Sequence, residues 1–185
     1  VKKLLNDSTI AFVGEVKTIN PSQIQTELYY WTGVTFDWLE VEMEVTFPLK
    51  SCQKSQKVKV MILADKLFDW GEPISFVNLK VGKQYLCGLC PSSRKDFYAS
   101  VTGPIDEEAA IILLDRKSLR PPRVVDPGEE KVRLRNREPT AEILWQLVDD
   151  EGGLNLEALE ELKIAFAEQI ENPPNKDQVI ELVWK

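Results

Sequence analysis

The residues that most directly suggest chemistry are Cys87 and Cys90, in the stretch YLCGLC. A C-x-x-C pair can form a redox dithiol or supply two of the four ligands of a zinc site. The chain of 185 residues contains three cysteines and no histidine. It therefore lacks the residues for His-dependent nucleophilic catalysis, for His proton transfer and for His metal ligation. We expect no metal, no cofactor and no catalytic residue.

The local pattern places this cysteine pair on a β-strand. Strand alternation would turn Cys87 to one face with Tyr85 and Leu89, and Cys90 to the other face. Two cysteines three positions apart on a strand cannot form a disulfide of good geometry unless the strand ends between them. A core Cys87 with Cys90 at the strand end is the expected arrangement. The alternatives are a disulfide from Cys52 to one of the two, or a redox pair.

Composition and charge narrow the class of partner. The net charge is -7 and the sequence pI is about 4.8, so the chain as a whole should be repelled by nucleic acid and by anionic membranes. No apolar run approaches the roughly 20 residues that span a bilayer. A disulfide from Cys52 would suit an exported protein, and we expect a location outside the cytoplasm.

Alternating apolar and polar residues predict strands over the first hundred residues. LEVEMEVTF turns its apolar residues to one face and its glutamates to the other, and KVKVMIL does the same with lysines. If these two strands are antiparallel neighbours, the glutamates and lysines form a cross-strand charge ladder on the solvent face. The predicted core comprises Phe12, Val41, Met43, Val45, Val60 and Ile62.

Further strands are predicted in TIAFVGEVKTI, QYLCGLC and FYASVTG, the last two joined by the turn PSSRKD. Residues 20–33 and 64–82 are predicted to be long, aromatic-rich loops. The stretch DEEAAIILL, residues 106–114, combines an N-cap type residue, acids in the first turn and an apolar body. It is therefore predicted to be a helix beginning at Asp106.

The order of these motifs resembles the netrin-like or TIMP-like (NTR) module over residues 8–115. The resemblance implies a mainly β fold with C-terminal α structure: a five-stranded OB-like antiparallel barrel plus flanking helices. The matching residues are Phe12, Val13 and Gly14 in the first strand, Val81, Gly82, Tyr85 and Leu86 in the fourth element, and Gly103, Pro104 and Ile105 in the last step.

The departures from that family concern its inhibitory function. Its inhibitory members reach a protease zinc ion with an N-terminal cysteine, whereas this sequence starts with Val1 and its first cysteine is Cys52. Ser100 and Val101 stand where the family has a cysteine before its last step. The metalloprotease-inhibitor role and the family disulfides are therefore not expected here.

Three regions are predicted: the OB-like barrel with its helix in residues 1–115, a basic Pro-rich linker in 116–137, and a small acidic, mostly helical region in 138–185. The last region should hold a helix near 140–148, a glycine break, and a longer helix capped by Asn155. We expect this region to dock on the barrel, on its own neighbouring helix, or on a second copy of the chain. The apolar stripe of the longer helix comprises Leu156, Leu159, Leu162, Phe166 and Ile170.

The predicted binding residues are aromatic side chains of the two long loops, because Tyr and Trp bury a large area on contact at low entropic cost. The same rings could instead cover the ends of the barrel. These candidates are Tyr29, Tyr30, Trp31, Phe68 and Trp70.

The linker offers a second set of candidates, Arg123, Arg133, Arg135 and Arg137. They could neutralise the acidic C-terminal region, form a solvated tether, or contact an acidic partner.

The function we expect is a non-catalytic binding or scaffold module that contacts a protein partner through its barrel loops. An OB-type nucleic-acid-binding protein is the first alternative, although no aromatic residues for base stacking interleave with the linker arginines. An enzyme that uses carboxylates is the second alternative. Self-association through the C-terminal helices is a further expectation.

Overall fold

The structure, a computed structural model, describes residues 7–27, 35–64, 78–101, 110–117, 119, 144–167 and 180. Within these ranges the chain is mainly β with α structure late in the chain, as predicted. A single helical turn at residues 144–146 precedes the longer helix. The strands and the longer helix are β1 (Ile10–Glu27), β2 (Thr35–Lys50), β3 (Lys57–Leu63), β4 (Gln84–Pro91), β5 (Tyr98–Ser100), β6 (Ile111–Leu113) and α1 (Leu156–Ala167).

The described strands form one sheet in the order β1-β2-β3-β5-β4-β6, and β1 also pairs with β4. Five strands therefore form a ring. Every pairing is antiparallel except that between β3 and β5, which are parallel where Val60 faces Tyr98. The prediction of a wholly antiparallel sheet is wrong at this contact. A ring with an odd number of strands cannot alternate direction all the way round, so at least one neighbouring pair must be parallel.

The interior of the ring is filled by the apolar face of each strand. All six residues predicted for the core are buried in this cluster, which confirms the faces assigned from the alternation. The cluster comprises Ile10, Phe12, Val16, Val41, Met43, Val45, Val58, Val60, Ile62, Leu79, Tyr85, Cys87, Leu89 and Ile111.

The first predicted loop, residues 20–33, is largely strand. β1 continues to Glu27 and β2 begins at Thr35, and the two remain paired to their ends. The register shifts between Pro21 and Gln25. Because proline lacks a backbone N–H and is tolerated at such irregularities, the Asn-Pro-Ser sequence interrupts the pairing without ending the strand.

The predicted helix at residues 106–114 is wrong in its second half. Ile111–Leu113 form β6, which pairs antiparallel with Tyr85–Cys87 of β4. β5 uses the same edge of β4 further along, at Leu89–Pro91, so β6 fills the part that β5 leaves open. Leaving the backbone N–H and C=O groups of this β4 edge unpaired would be costly. The β-branched residues Ile111 and Ile112 favour the strand conformation that pairs with these groups.

The acidic C-terminal region docks on the outer face of the ring. Leu159 of α1 is fully buried against residues of β1, β2 and β4, together with Leu144 of the helical turn and Leu147 and Val148, which follow it. The rest of this cluster is Ala11, Val13, Phe47, Leu49, Leu86 and Leu114. Residues 144–162 therefore pack on strands of the ring, one of the three docking places that the sequence left open.

The buried stripe of α1 differs from the predicted one at its first residue. Leu156 is 61% exposed, while Leu159, Ala158 and Leu162 face the sheet. Asn155 caps the helix as predicted, since its Oδ1 accepts the backbone N–H of Ala158 at 3.2 Å. The side chains of Phe166 and Ile170, also assigned to the stripe, lie outside the part of the chain that the structure describes.

Arg116 ties the end of β6 to this docked region. Its guanidinium lies 3.5 Å from the ring centroid of Trp145 and donates to the carbonyl oxygens of Trp145 and Val148, at 2.8 and 2.7 Å. It also pairs with the carboxylate of Asp150 at 2.7 Å. The backbone carbonyls that end the helical turn at 144–146 thus receive donors from a planar cation, a contact that the sequence did not reveal.

Candidate interaction surface

None of the candidate binding residues lies within the described ranges. This holds for the aromatic set Tyr29, Tyr30, Trp31, Phe68 and Trp70, and for the linker set Arg123, Arg133, Arg135 and Arg137. The structure does describe the residues that flank the two aromatic segments, 28–34 and 65–77. Those flanking residues show where each segment connects to the sheet.

The described residues that precede the two aromatic segments lie at one place in the sheet. Glu27 and Thr35, which flank the first segment, are paired across β1 and β2. Ala64, which precedes the second segment, donates its backbone N–H to the carbonyl of Asp37 at 2.8 Å. Asp37 is two residues from Thr35, or about 7 Å along the strand. We call Gln25, Glu27, Thr35, Asp37 and Ala64 the loop corner.

The loop corner is held by side-chain and main-chain contacts. Gln25 pairs with Asp37 across the strands, and its Nε2 also donates to the Asp37 carboxylate at 2.8 Å. Trp38 and Leu63, the next residues of β2 and β3, are paired and buried. The two segments therefore begin from a fixed part of the sheet.

Beneath the corner lies a second apolar cluster on the outside of the ring, which we call the outer cluster. Its buried members are Trp38, Met61, Leu63 and Ala99, and the partly buried residues packed on them are Ile24, Phe97 and Ile180. It gives the corner an apolar base distinct from the interior core.

The turn between β4 and β5 is fixed over the outside of β1 and β2 by Arg94. Its guanidinium pairs with Glu40 at 2.6 Å, donates to the hydroxyl of Ser22 at 3.3 Å, and lies 4.3 Å from the ring centroid of Phe97. Sequence reasoning identified this turn but not the role of Arg94. The available signal was an arginine followed three residues later by an aromatic ring within a short hairpin turn.

The solvent face of β1, β2 and β3 carries the predicted charge ladder. Lys57 lies opposite Glu44 in the register, and its Nζ pairs with Glu42 at 2.9 Å. Lys17 lies between Glu15 and Glu44, at 2.9 and 3.3 Å, and the hydrogen bond with Glu15 raises the pKa of Lys17. These exposed pairs contribute little to stability individually, but they neutralise the row of glutamates.

The described residues contain no group of three or more Cys, Asp or Glu side chains placed to hold a metal ion. On a flat strand, alternate carboxylates project in parallel and do not converge on one point.

The three thiols lie within packed parts of the fold, and none is in a disulfide. Cys87 shares the interior with Tyr85 and Leu89, as the alternation predicts, and burial raises its pKa far above the ordinary range. Cys90 is also buried. Cys52 is half-buried, and its thiol donates to the carbonyl of Ala11 at 3.3 Å. Burial also raises the pKa of Cys52, so the environments of Cys52 and Cys87 both disfavour a thiolate.

Stability is expected to fall as the pH rises above about 8.5. Burial raises the folded-state pKa values of Cys87 and Tyr85, so these groups lose protons more easily when the chain is unfolded. Their contribution is complete below the unfolded-state pKa and is lost above it, by up to about 1.4 kcal/mol per pH unit for each group. Urea unfolding at pH 7, 9 and 10 measures this slope. The Cys87→Ala variant should show a shallower slope, and equal slopes would contradict the prediction.

No helix in the described ranges has both the length and the apolar character needed to cross a membrane. Comparison with protein-family models, with curated proteins and with solved structures found no match to this chain.

Proposed function

We propose that this chain is a non-catalytic protein-binding module whose contact surface is formed by segments 28–34 and 65–77. The observation that carries this proposal is the loop corner, where the backbone bond between Ala64 and Asp37 brings the starts of both segments together. Tyr29, Tyr30 and Trp31 belong to the first segment, and Phe68 and Trp70 to the second. Clustered Tyr and Trp side chains are typical of the residues that dominate binding energy at protein interfaces.

The strand order supports an OB-type barrel as the scaffold. A ring in the order β1-β2-β3-β5-β4-β1 brings together strands that are distant in sequence. OB-type barrels bind their ligands through the β1–β2 connection, the β4–β5 connection and the face of β2 and β3. In this chain the β1–β2 connection is segment 28–34. A relation to the netrin-like and TIMP-like modules is part of the same proposal and rests on the sequence motifs.

The charges on the outer face favour a protein partner over a nucleic acid. The outer face of β2 presents Glu40, Glu42 and Glu44 at every second position, and the last two lie opposite Lys59 and Lys57 of β3. Proteins that bind single strands without sequence preference use a continuous positive groove with stacking rings. A phosphate backbone laid along this face would meet a carboxylate at each repeat, whereas a protein surface can match alternating charges.

Removing two of the three aromatic side chains of the first segment should strongly weaken partner binding. The test compares proteins captured from a native extract by the wild-type chain and by the Tyr30→Ala/Trp31→Ala double variant. Because central aromatic residues typically contribute at least 2 kcal/mol each, we expect captured partner to fall by at least about 30-fold.

The matched control for that experiment is Leu156→Ala/Ile164→Ala, which removes two exposed apolar side chains of α1. It should capture the same partner as the wild type. Equal capture by the aromatic variant would refute the proposed surface. Fluorescence anisotropy with a single-stranded oligonucleotide at low salt is the parallel measurement. Binding that the aromatic variant loses would establish the nucleic-acid alternative instead.

A further inference from the structure

We propose that the outer cluster is a docking groove for an extended peptide, occupied within this chain by Ile180. A partner polypeptide would enter the groove with an aliphatic side chain on an extended backbone and displace the segment that carries Ile180. This site differs from the proposed contact surface, since it uses the turn between β4 and β5 and needs neither aromatic segment.

The main chain of Ile180 is held on both sides by the end of β4. Its N–H donates to the carbonyl of Pro91 at 2.8 Å, and its carbonyl accepts the N–H of Ser93 at 2.8 Å. Ser92 and Ile180 form a parallel bridge. A donor and an acceptor that flank one residue in this way are the elements of β-strand addition, which recognises any extended backbone.

The side chain of Ile180 gives the groove its selectivity. It is partly buried against the outer cluster, whose members Trp38, Met61, Leu63 and Ala99 are all buried. These four residues present aromatic, thioether and aliphatic surface. A branched aliphatic side chain fits such surroundings, whereas a charged one would lose its hydration there.

Two cations lie beside Phe97 at the edge of the groove, and each of them faces a carboxylate of β2. Arg94 and Lys59 lie 4.3 and 5.7 Å from the ring centroid of Phe97, which itself packs on the outer cluster. Glu40 balances Arg94 at 2.6 Å. The favoured partner is therefore an extended segment whose docked residue is a branched aliphatic one.

A free peptide and the attached Ile180 would compete for the same main-chain groups. At residue 180 these are one donor and one acceptor on either side of one partly buried side chain. Covalent attachment gives such a segment an effective concentration in roughly the millimolar range. A free peptide at micromolar concentration cannot compete with it, but it should bind once the attached segment is weakened.

The test uses a fluorescein-labelled peptide with the sequence of residues 176–185, added to the full-length chain. The wild type should bind it weakly. The full-length Ile180→Asp variant should bind it at least about tenfold more tightly, because the attached competitor has lost its apolar anchor. Ile164→Asp is the matched control, since Ile164 is 57% exposed on α1 and should leave binding at the wild-type level. Equal affinities of the wild type and Ile180→Asp would overturn the proposal.

Two altered peptides separate strand addition from simple apolar contact. Methylating the backbone nitrogen of the residue equivalent to Ile180 removes the donor to Pro91. We expect the methylated peptide to bind about fivefold more weakly than the unmodified one. Replacing that isoleucine by aspartate should abolish binding. A methylated peptide that binds as well as the unmodified one would overturn the main-chain part of the proposal.

Folding and assembly are checked on the same samples. Far-UV circular dichroism must match the wild type, and Ile180→Ala takes the place of Ile180→Asp if it does not. Size-exclusion chromatography over a range of concentrations measures assembly. A wild-type dimer that Ile180→Asp converts to a monomer would show that a second copy supplies the strand, which would overturn occupation within one chain.

Discussion

The Leu159→Asp variant is expected to release the C-terminal region from the sheet and to lower the free energy of unfolding by at least about 3 kcal/mol. Leu159 is fully buried on α1, in a cluster with Phe47 of β2 and Leu86 of β4. Replacing a buried leucine by alanine usually costs 2–5 kcal/mol. A carboxylate without a partner at the same place adds a desolvation penalty, so the helix should detach rather than bury the charge.

Urea unfolding and limited proteolysis measure this effect. Cleavage between residues 118 and 143 should become faster in Leu159→Asp, since the region beyond the linker no longer holds it to the sheet. Leu156→Asp is the matched control, because it places the same charge on the same helix at a position that is 61% exposed. It should change stability by less than about 0.5 kcal/mol. Indistinguishable cleavage of the two variants would show that α1 does not hold this region.

These two leucines also show how far the sequence determined the docking. The spacing of α1 predicts an amphipathic helix, and its cap at Asn155 is where the sequence placed it. Apolar residues occur on both sides of the helix, however, and the sequence pattern assigned Leu156 to the buried side together with Leu159. Hydropathy alone cannot choose between two apolar faces. That choice depends on the shape and composition of the sheet surface beneath the helix.

The strands were predicted more completely, because alternation is a local property of the sequence. The interior residues from Phe12 to Ile62 and the charge ladder of β2 and β3 follow from it directly. The conformation of residues 111–113 does not follow from alternation. Whether this stretch becomes helix or strand depends on the part of the β4 edge that β5 leaves unpaired, and the local sequence does not show which part that is.

For the candidate surface, the sequence indicated which residue types could bind but not where they lie relative to one another. Tyr30, Trp31 and Trp70 were chosen as aromatic residues in long connections, and nothing local indicated that the two connections start together. The bond from Ala64 to Asp37 supplies that information, and it depends on the register of three strands. The outer cluster went unrecognised for a related reason: Trp38 follows one predicted loop and Leu63 precedes the other, and alternation gives no clear face at such positions.

The Trp38→Ala variant is expected to lower the free energy of unfolding by about 3–5 kcal/mol, the usual cost of truncating a buried tryptophan. Trp38 is fully buried although it lies outside the ring, and Ile24, Leu63 and Ala99 share its cluster. Losing the indole leaves a cavity beneath both the loop corner and the groove that holds Ile180. The substitution should therefore lower the free energy of unfolding and also weaken the binding of the C-terminal segment that carries Ile180.

Trp38→Phe is the matched variant, since it keeps an aromatic ring and most of the apolar volume. It should cost clearly less than Trp38→Ala in urea unfolding. The labelled peptide of residues 176–185 tests the second effect in the Ile180→Asp background, where the attached competitor is weakened. Trp38→Ala should bind less of the peptide than Trp38→Phe, because the groove loses one wall in Trp38→Ala and keeps it in Trp38→Phe. If Trp38→Ala loses less than about 1 kcal/mol, residues on the outside of the ring can repack without the indole. The outer cluster would then be too adaptable to position either the loop corner or a docked strand.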